Sequence, residues 1–368
     1  MKVRGQTSPE GKYQSTKTLI FRLSSLGDVV LATSVLSAHK GQADWVVARE
    51  FSSLLEGHPR INRVWTFDRQ SGLLGWLELC EQLWKEGYSE VLDLHSSLRT
   101  RLAKVYFRWL ALRDGRSLPR WRRLAKSRWK SVGLFLFKTF WPSILRPVPY
   151  RRRFALLGGG LGNETPDFKW LLGRDGCHSW ENFLAKMNSK TTREGLAGGN
   201  YLCVMPSAAW EGKRLPVETF LRAIKETEPL PVILGTATDQ ESLQLVDLLE
   251  RSKLPFISGV GKWTLPQVAM VLGNSMGYLG NDTGLAHLAE AVGVPALVIF
   301  GPTVPEMGFG PWHEQSRVID SPLWCRPCSK DGRACFRPIK RYRCLSEIQP
   351  AGLTSAVNSV VNGKQQLP

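Results

Sequence analysis

At 368 residues, with 43% hydrophobic and 22% charged side chains, the chain is long enough for two domains and too apolar for wholesale disorder. The first sixteen residues are polar, unlike a secretory signal, and no stretch reaches the roughly 18 uninterrupted apolar residues of a membrane span, so the expectation is a cytoplasmic protein whose membrane contact is peripheral. Net charge is +17, yet it is concentrated: residues 99–153 hold 17 Lys/Arg and one acid, Asp114, leaving the rest of the chain close to neutral.

In chain order, KTLIFRLSSLGDVVLATSVLSAHK (17–40) reads as a short buried strand, a Ser-Ser-Leu-Gly loop and a helix beginning near Asp28. WVVARE and the alternating VWTFD are strand-like, Leu73–Glu86 reads as a helix, and EVLDLH is a further strand. Strands that are almost continuously apolar and alternate with helices argue for a parallel sheet covered on both faces. From Leu98 to Leu145 the chain is basic, rich in Trp and expected to be helical. The polar, Gly-rich stretch Thr191–Asn200 reads as a linker. The pattern then restarts with YLCVMP, VETFLRAIKE, PVILG, DQESLQLVDLLERS, PFISG, a helix near Pro266–Leu272, MGYLGN, a helix from Thr283 and PALVIFG. The division expected is a polar extension (1–16), an N-terminal domain (17–190) carrying the basic segment 99–153, a linker (191–200) and a C-terminal domain (201–368). The fold class is α/β, two doubly wound Rossmann-like domains facing a central cleft at the carboxyl ends of their strands.

Three segments sit where a strand gives way to a loop or helix. In RLSSLGDVVLATSVL, Gly27 permits a tight turn and Asp28 stands at a helix start, either as a cap or as a carboxylate able to take a proton from a hydroxyl. In PSAAWEGKRLP, Lys213 and Arg214 form either a solvated surface pair or a phosphate site. In GNDTGLAHLAEAVGVPALVIFGPT, Asp282, Thr283 and Gly284 end a strand and open a helix, whose amide groups and dipole suit a phosphate. His287 lies one turn on, either in the cleft or packed beneath it, and Thr303 closes the next strand with a hydroxyl.

The run WRRLAKSRWKSVGLFLFKTFW interleaves cations with aromatics, the profile of an interfacial helix on an anionic membrane. Its ordinary counterpart is a helix with a core face and a solvated charged face. The acceptor-side or membrane candidates are Arg99, Arg120, Arg122, Arg123, Lys126, Arg128 and Lys130. No nucleic-acid module accompanies them, so no nucleic-acid partner is expected. Cys325, Cys328, Cys335 and Cys344 form a CxxC-x6-C-x8-C cluster that suits a structural zinc better than disulfides in a reducing compartment.

Taken together, RLSSLGDVVLATSVL, DLHSSLR (93–99), KRLP (213–216), NDTGLAHLAEA (281–291) and FGPT (300–303) resemble glycosyltransferase family 9, the ADP-heptose:lipopolysaccharide heptosyltransferases. The resemblance spans Lys17 to Leu345, and the cysteine cluster is similar to one in enzymes resembling heptosyltransferase II. It implies a GT-B fold and an inverting, metal-independent transfer of heptose from ADP-heptose to the inner core of lipopolysaccharide, with no cofactor for catalysis. The acceptor would be a lipid A–core glycolipid at the cytoplasmic face of the inner membrane, where the enzyme would be peripheral. Asp28 would be the general base, and Lys213 would bind the donor diphosphate beside Arg214. Asp282, Thr283, Gly284, His287 and Thr303 would line the donor site, and Asp239 or Glu241 would hold the donor ribose. Leu215 stands where the family commonly has Trp. The alternative reading is a non-catalytic nucleotide-sugar or anionic-lipid binding protein on the same fold. A dinucleotide oxidoreductase is disfavoured, because the first strand-helix turn lacks GxGxxG.

Overall fold

The computed structural model describes residues 17–125, 128–138, 142–173, 179–333 and 335–365; the expected N-terminal extension, Lys126, Cys177 and the Arg128 side chain lie outside them. In the first half, β1 (Thr18–Phe21) leads through α1 (Leu26–Ala32) and α2 (Ser34–Ala38) to β2 (Ala43–Ala48) and β3 (Ile61–Phe67). Helix α3 (Gly72–Lys85), β4 (Glu90–Asp93), α4 (Leu98–Asp114) and β5 (Arg120–Arg123) follow. These strands form one parallel sheet in the order β3-β2-β1-β4-β5. Both β1 and β2 are buried at every position, as expected for central parallel strands covered on both faces. At the sheet's margin β3 alternates, burying Ile61, Trp65 and Phe67 while exposing Asn62, Arg63 and Thr66.

Helices α5 (Arg128–Phe137), α6 (Tyr150–Gly158), α7 (Trp180–Ala185) and α8 (Lys190–Ala197) connect the halves. The second half runs β6 (Tyr201–Met205), α9 (Val217–Lys225), β7 (Leu230–Ile233), α10 (Gln240–Arg251), β8 (Ile257–Ser258), α11 (Leu265–Gly273), β9 (Gly277–Asn281), α12 (Gly284–Ala291), β10 (Ala296–Phe300) and β11 (Arg317–Asp320). Its parallel sheet has the order β11-β10-β9-β6-β7-β8. Helices α13 (Arg343–Ser346) and α14 (Pro350–Gln365) complete the chain, α14 packing against α9 and β11. The fold expected from the sequence is the one observed, a pair of doubly wound domains.

Two local expectations are corrected. The basic segment is not uniformly helical: Arg120–Arg123 pairs with β4 as an edge strand, because Trp121 can stack on Phe21 (5.8 Å between ring centres) from that register. A charged edge strand also discourages further strand pairing. The stretch 191–200 is mostly helix α8, capped by the Ser189 hydroxyl on Thr192 N–H and anchored by buried Leu196. Gly198, Gly199 and Asn200 alone form the turn into β6.

Candidate active site

The two halves meet where two helix N-termini touch. A Cβ on Gly284 would lie 2.6 Å from the backbone N of Gly27 and 2.8 Å from Leu26, and one on Gly27 would lie 3.0 Å from the His287 ring. Gly27 therefore serves a close approach between domains; its φ is not positive, so the tight-turn expectation is corrected. This contact sets Asp28, at the head of α1, across one cavity from Asp282 and Thr283, at the head of α12. The cavity measures about 500 Å³, a size suited to a nucleotide sugar.

On the N-terminal wall, Ser25 is the N-cap of α1 and Asp28 occupies the third helical position. The Asp28 carboxylate accepts from the Ser25 N–H (3.3 Å) and hydroxyl (3.1 Å) and lies 2.5 Å from a guanidinium nitrogen of Arg22. The cap and the base are thus compatible roles: Asp28 closes the capping box while its side chain still faces the cavity. Arg22 is 7% exposed and also donates to the Leu94 carbonyl at 2.8 Å, which ties β1, β4 and α1 together at this corner. A buried guanidinium without such partners would be strongly destabilising.

The C-terminal wall is a preorganised network. Lys213 Nζ lies 2.5 Å from Asp282 Oδ2, and the Thr303 hydroxyl donates to the same oxygen at 3.0 Å. The Thr283 hydroxyl meets the Tyr278 hydroxyl at 3.0 Å. Fully buried Asn281 accepts from Leu215 N–H at 3.2 Å and donates to the Pro206 carbonyl, fastening the loop that carries Lys213 to the end of β9. His287 is buried, and burial, helped by the charge of Lys213, lowers its pKa to about 4 against the opposing pull of Asp282 and Asp28. It is therefore a neutral imidazole, and among the described residues its Nδ1 finds no hydrogen-bond partner. Its ring stacks on Trp312 at 5.8 Å. Trp312 is in turn placed by Glu290, whose Oε1 accepts from the Trp312 and His313 N–H groups at 2.7 Å each.

Three expected donor residues do not line this cavity. Arg214 donates to the Ala208 carbonyl (2.8 Å) and pairs with Glu241 (2.7 Å), so each neutralises the other behind the loop. Asp239 stands at the N-cap position of α10, but its carboxylate turns back to accept from Thr236 N–H at 2.7 Å and makes no cap bond to the helix. The basic candidates divide as well. Arg123 folds back onto Asp93 (3.5 Å) and Ser96 (3.1 Å), and Arg122 lies 3.6 Å from Glu90. Arg120 is exposed, Arg99 sits over the Phe67 ring, and Lys130 lies over the Trp129 ring.

The cysteine loop has a role that sequence spacing concealed. Between Cys328 and Cys335 it brings Lys330 and Asp331 into the cavity wall, so it is part of the site's surroundings and not a remote clip. Arg326 is 5% exposed and donates to the carbonyls of Phe300 (3.1 Å), Gly301 (2.5 Å) and Thr303 (3.1 Å), gripping the FGPT turn that presents Thr303. Burial, reinforced by the neighbouring thiols, pushes the Cys328 thiol up to about 11, and burial pushes Cys344 to about 12. Among the described residues no three His, Cys, Asp or Glu side chains are gathered as a metal-holding group, and no chemistry is routed through a metal here. Arg22, Asn281, Trp312 and Arg326 went unnoticed in the sequence. The only available signals were a lone cation ending an apolar strand and an Asn before the DTG turn.

Two parallel α/β domains with a carboxylate facing a phosphate-type helix terminus across one cleft form a GT-B architecture, and the comparisons place the chain among glycosyltransferases. The family model for glycosyltransferase family 9 (heptosyltransferase) matches residues 169–335. That match covers the end of the first half and most of the second, and the relatives that follow support the same family. It is 27% identical over 362 residues to lipopolysaccharide heptosyltransferase 1 of Pseudomonas aeruginosa, covering 90% of this chain and 91% of the relative. Among solved structures, it is similar to a family 9 glycosyl transferase from Veillonella parvula (TM-score 0.68, 19% identity, 95% and 98% of the two chains). It is also similar to the E. coli heptosyltransferase WaaC with ADP (TM-score 0.63, 18% identity, 94% and 99% covered). Relatives named heptosyltransferase 1 and heptosyltransferase 2 both match, so the comparisons do not separate those kinds.

Proposed function

We propose that this enzyme transfers heptose from ADP-heptose to the inner core of a lipopolysaccharide precursor, with inversion at the anomeric carbon. The observation that carries the reading is the facing pair, Asp28 on one wall and Lys213 with the α12 N-terminus on the other, in a single cavity. The full-length likeness to a lipopolysaccharide heptosyltransferase and to a fold neighbour solved with ADP supports the choice of donor and acceptor.

In this reading the donor diphosphate lies against Lys213, Thr303 and the first amide groups of α12, displacing part of the Lys213–Asp282 pairing. Asp28 takes the proton of an acceptor hydroxyl, which attacks the anomeric carbon from the face opposite the diphosphate. The bond to the diphosphate oxygen breaks as the new glycosidic bond forms, and the negative charge gathers on the leaving group. Lys213 and the helix terminus are already aimed there, so they stabilise that charge with little reorganisation and without a metal. Arg22 keeps the Asp28 carboxylate oriented.

The acceptor is proposed to arrive from the cytoplasmic leaflet of the inner membrane, where the basic segment holds the enzyme peripherally. Among the described residues no helix is long and apolar enough to cross a membrane. Zinc at the cysteine loop would require its thiols to draw together, and metal analysis of the purified protein tests that. The function itself is tested by incubating enzyme, ADP-heptose and a truncated lipid A–core acceptor and assigning the product's anomeric configuration. A product with inverted configuration supports the reading; turnover with another nucleotide sugar and none with ADP-heptose overturns it.

A further inference from the structure

Helix α4 has two apolar faces. One, made of Thr100, Ala103, Phe107, Leu110 and Ala111, is buried against the first domain. The other looks outward: Leu98, Leu102, Val105, Trp109 and Leu112 recur at alternating four- and three-residue steps and are 38–86% exposed. Residues at that spacing form a single line along the helix, here about 21 Å from Leu98 to Leu112. A continuous exposed stripe of this length marks a surface made to be covered.

The chemistry beside the stripe indicates what covers it. Arg101 and Arg108 run along one side, and on the other lie Arg99, over the Phe67 ring, and Arg113, already paired with Glu81 at 3.3 Å. The helix's one acid, Asp114, is engaged by Arg113 (2.6 Å) and the Trp84 N–H (2.8 Å). A second copy of this chain would bring the same cations against each other with no free carboxylate on the helix to pair them. An anionic bilayer meets both requirements: headgroups for the arginines and hydrocarbon for the stripe. Trp109, stacked on Tyr106 at 5.5 Å between ring centres, places an aromatic pair where the two regions join. Position agrees with chemistry. Helix α4 starts just after β4, whose following residue Leu94 is held by Arg22, the partner of Asp28. The stripe therefore begins four residues beyond the backbone that Arg22 holds.

We propose that the outward face of α4 seats the enzyme on anionic bilayers, with Leu102, Val105, Trp109 and Leu112 entering the acyl boundary between flanking arginines. This rests on the membrane-surface reading above and names the element that makes the contact.

The test is cosedimentation of the full chain with vesicles of phosphatidylcholine alone or with roughly 30% phosphatidylglycerol, in ~0.15 M salt. The wild type is expected to bind the mixed vesicles and not the neutral ones. The variant Val105→Ser/Trp109→Ser/Leu112→Ser should bind at least ~tenfold more weakly, since burial of these side chains is lost. Its ADP affinity and thermal midpoint should be unchanged, which separates loss of docking from loss of fold. Arg101→Glu/Arg108→Glu should weaken binding most at low salt. Three results overturn the proposal: equal vesicle binding by the triple-serine variant, no wild-type binding, or a wild-type dimer in lipid-free solution that the variant abolishes. Turnover on a detergent-solubilised acceptor is read in parallel. Vesicle binding without turnover removes the transferase reading, and turnover without vesicle binding removes only this one.

Discussion

The two halves of the molecule share an architecture and solve opposite electrostatic problems. The first half holds the basic segment and presents a carboxylate to the cleft; the second is close to neutral overall and presents a cation and a helix terminus. In the first half, the proposed chemistry rests on one side chain, Asp28, held by Arg22 and Ser25. In the second, two hydrogen-bonded groups stand side by side, Lys213–Asp282–Thr303 and Thr283–Tyr278–Asn281. The difference teaches that proton removal needs one correctly placed group, whereas a departing diphosphate needs several fixed before it arrives.

The comparison is broken most severely by removing its first half. Asp28→Ala should lower turnover by about 10²–10⁴-fold, measured with saturating donor and acceptor, because among the described residues no other carboxylate lines the cavity from that wall. Lys213→Ala should lower kcat by about 10²–10³-fold and raise the donor KM, since a charge at the leaving group is lost and Asp282 is left without its cation. The join between the halves comes next. Gly284→Ala places a Cβ against the Gly27 backbone, and a displacement of about 1 Å there should cost around 10²-fold in kcat with modest change in ADP affinity. Arg326→Met should lower unfolding free energy by about 1–3 kcal/mol in denaturant titration and raise the donor KM several-fold, since the FGPT carbonyls lose their donor.

The smallest effect expected is on pH dependence. Burial lowers both His58 and His287 to about 4 from an ordinary value near 6.5. The unfolded chain binds protons there that the folded chain refuses, so stability is intact above pH 6.5 and declines as pH falls toward 4. Glu290, raised by burial to about 7 from 4.5, acts the other way, since the folded chain takes its proton first as pH falls. Two histidines outweigh one glutamate, so the denaturation midpoint should fall between pH 6.5 and 4. His58→Phe should flatten that decline, and Glu290→Gln should steepen it.

How much of this was legible before the structure follows from the range of the interactions. Parallel strands buried on both faces show in sequence as apolar runs, so both sheets could be read. The NDTGLAH and FGPT segments could be read too, because strand, turn and helix are contiguous there. The Gly27–Gly284 contact could not, since its meaning lies in a partner more than 250 residues away. Arg214 and Glu241 looked like independent ligands until their pairing showed each satisfied by the other. The outward stripe of α4 was hidden for a different reason: with apolar residues on two opposite faces, the helix has little overall polarity across its axis. Lys330 and Asp331 reach the cavity only because the cysteine loop folds back over the donor wall.

The division of labour between the halves is tested most directly by calorimetric titration of ADP into the Asp28→Ala and Lys213→Ala proteins side by side. The account predicts wild-type affinity for Asp28→Ala and affinity at least ~tenfold weaker for Lys213→Ala. Equal loss in both, or loss confined to Asp28→Ala, would contradict a donor site built on the second half alone.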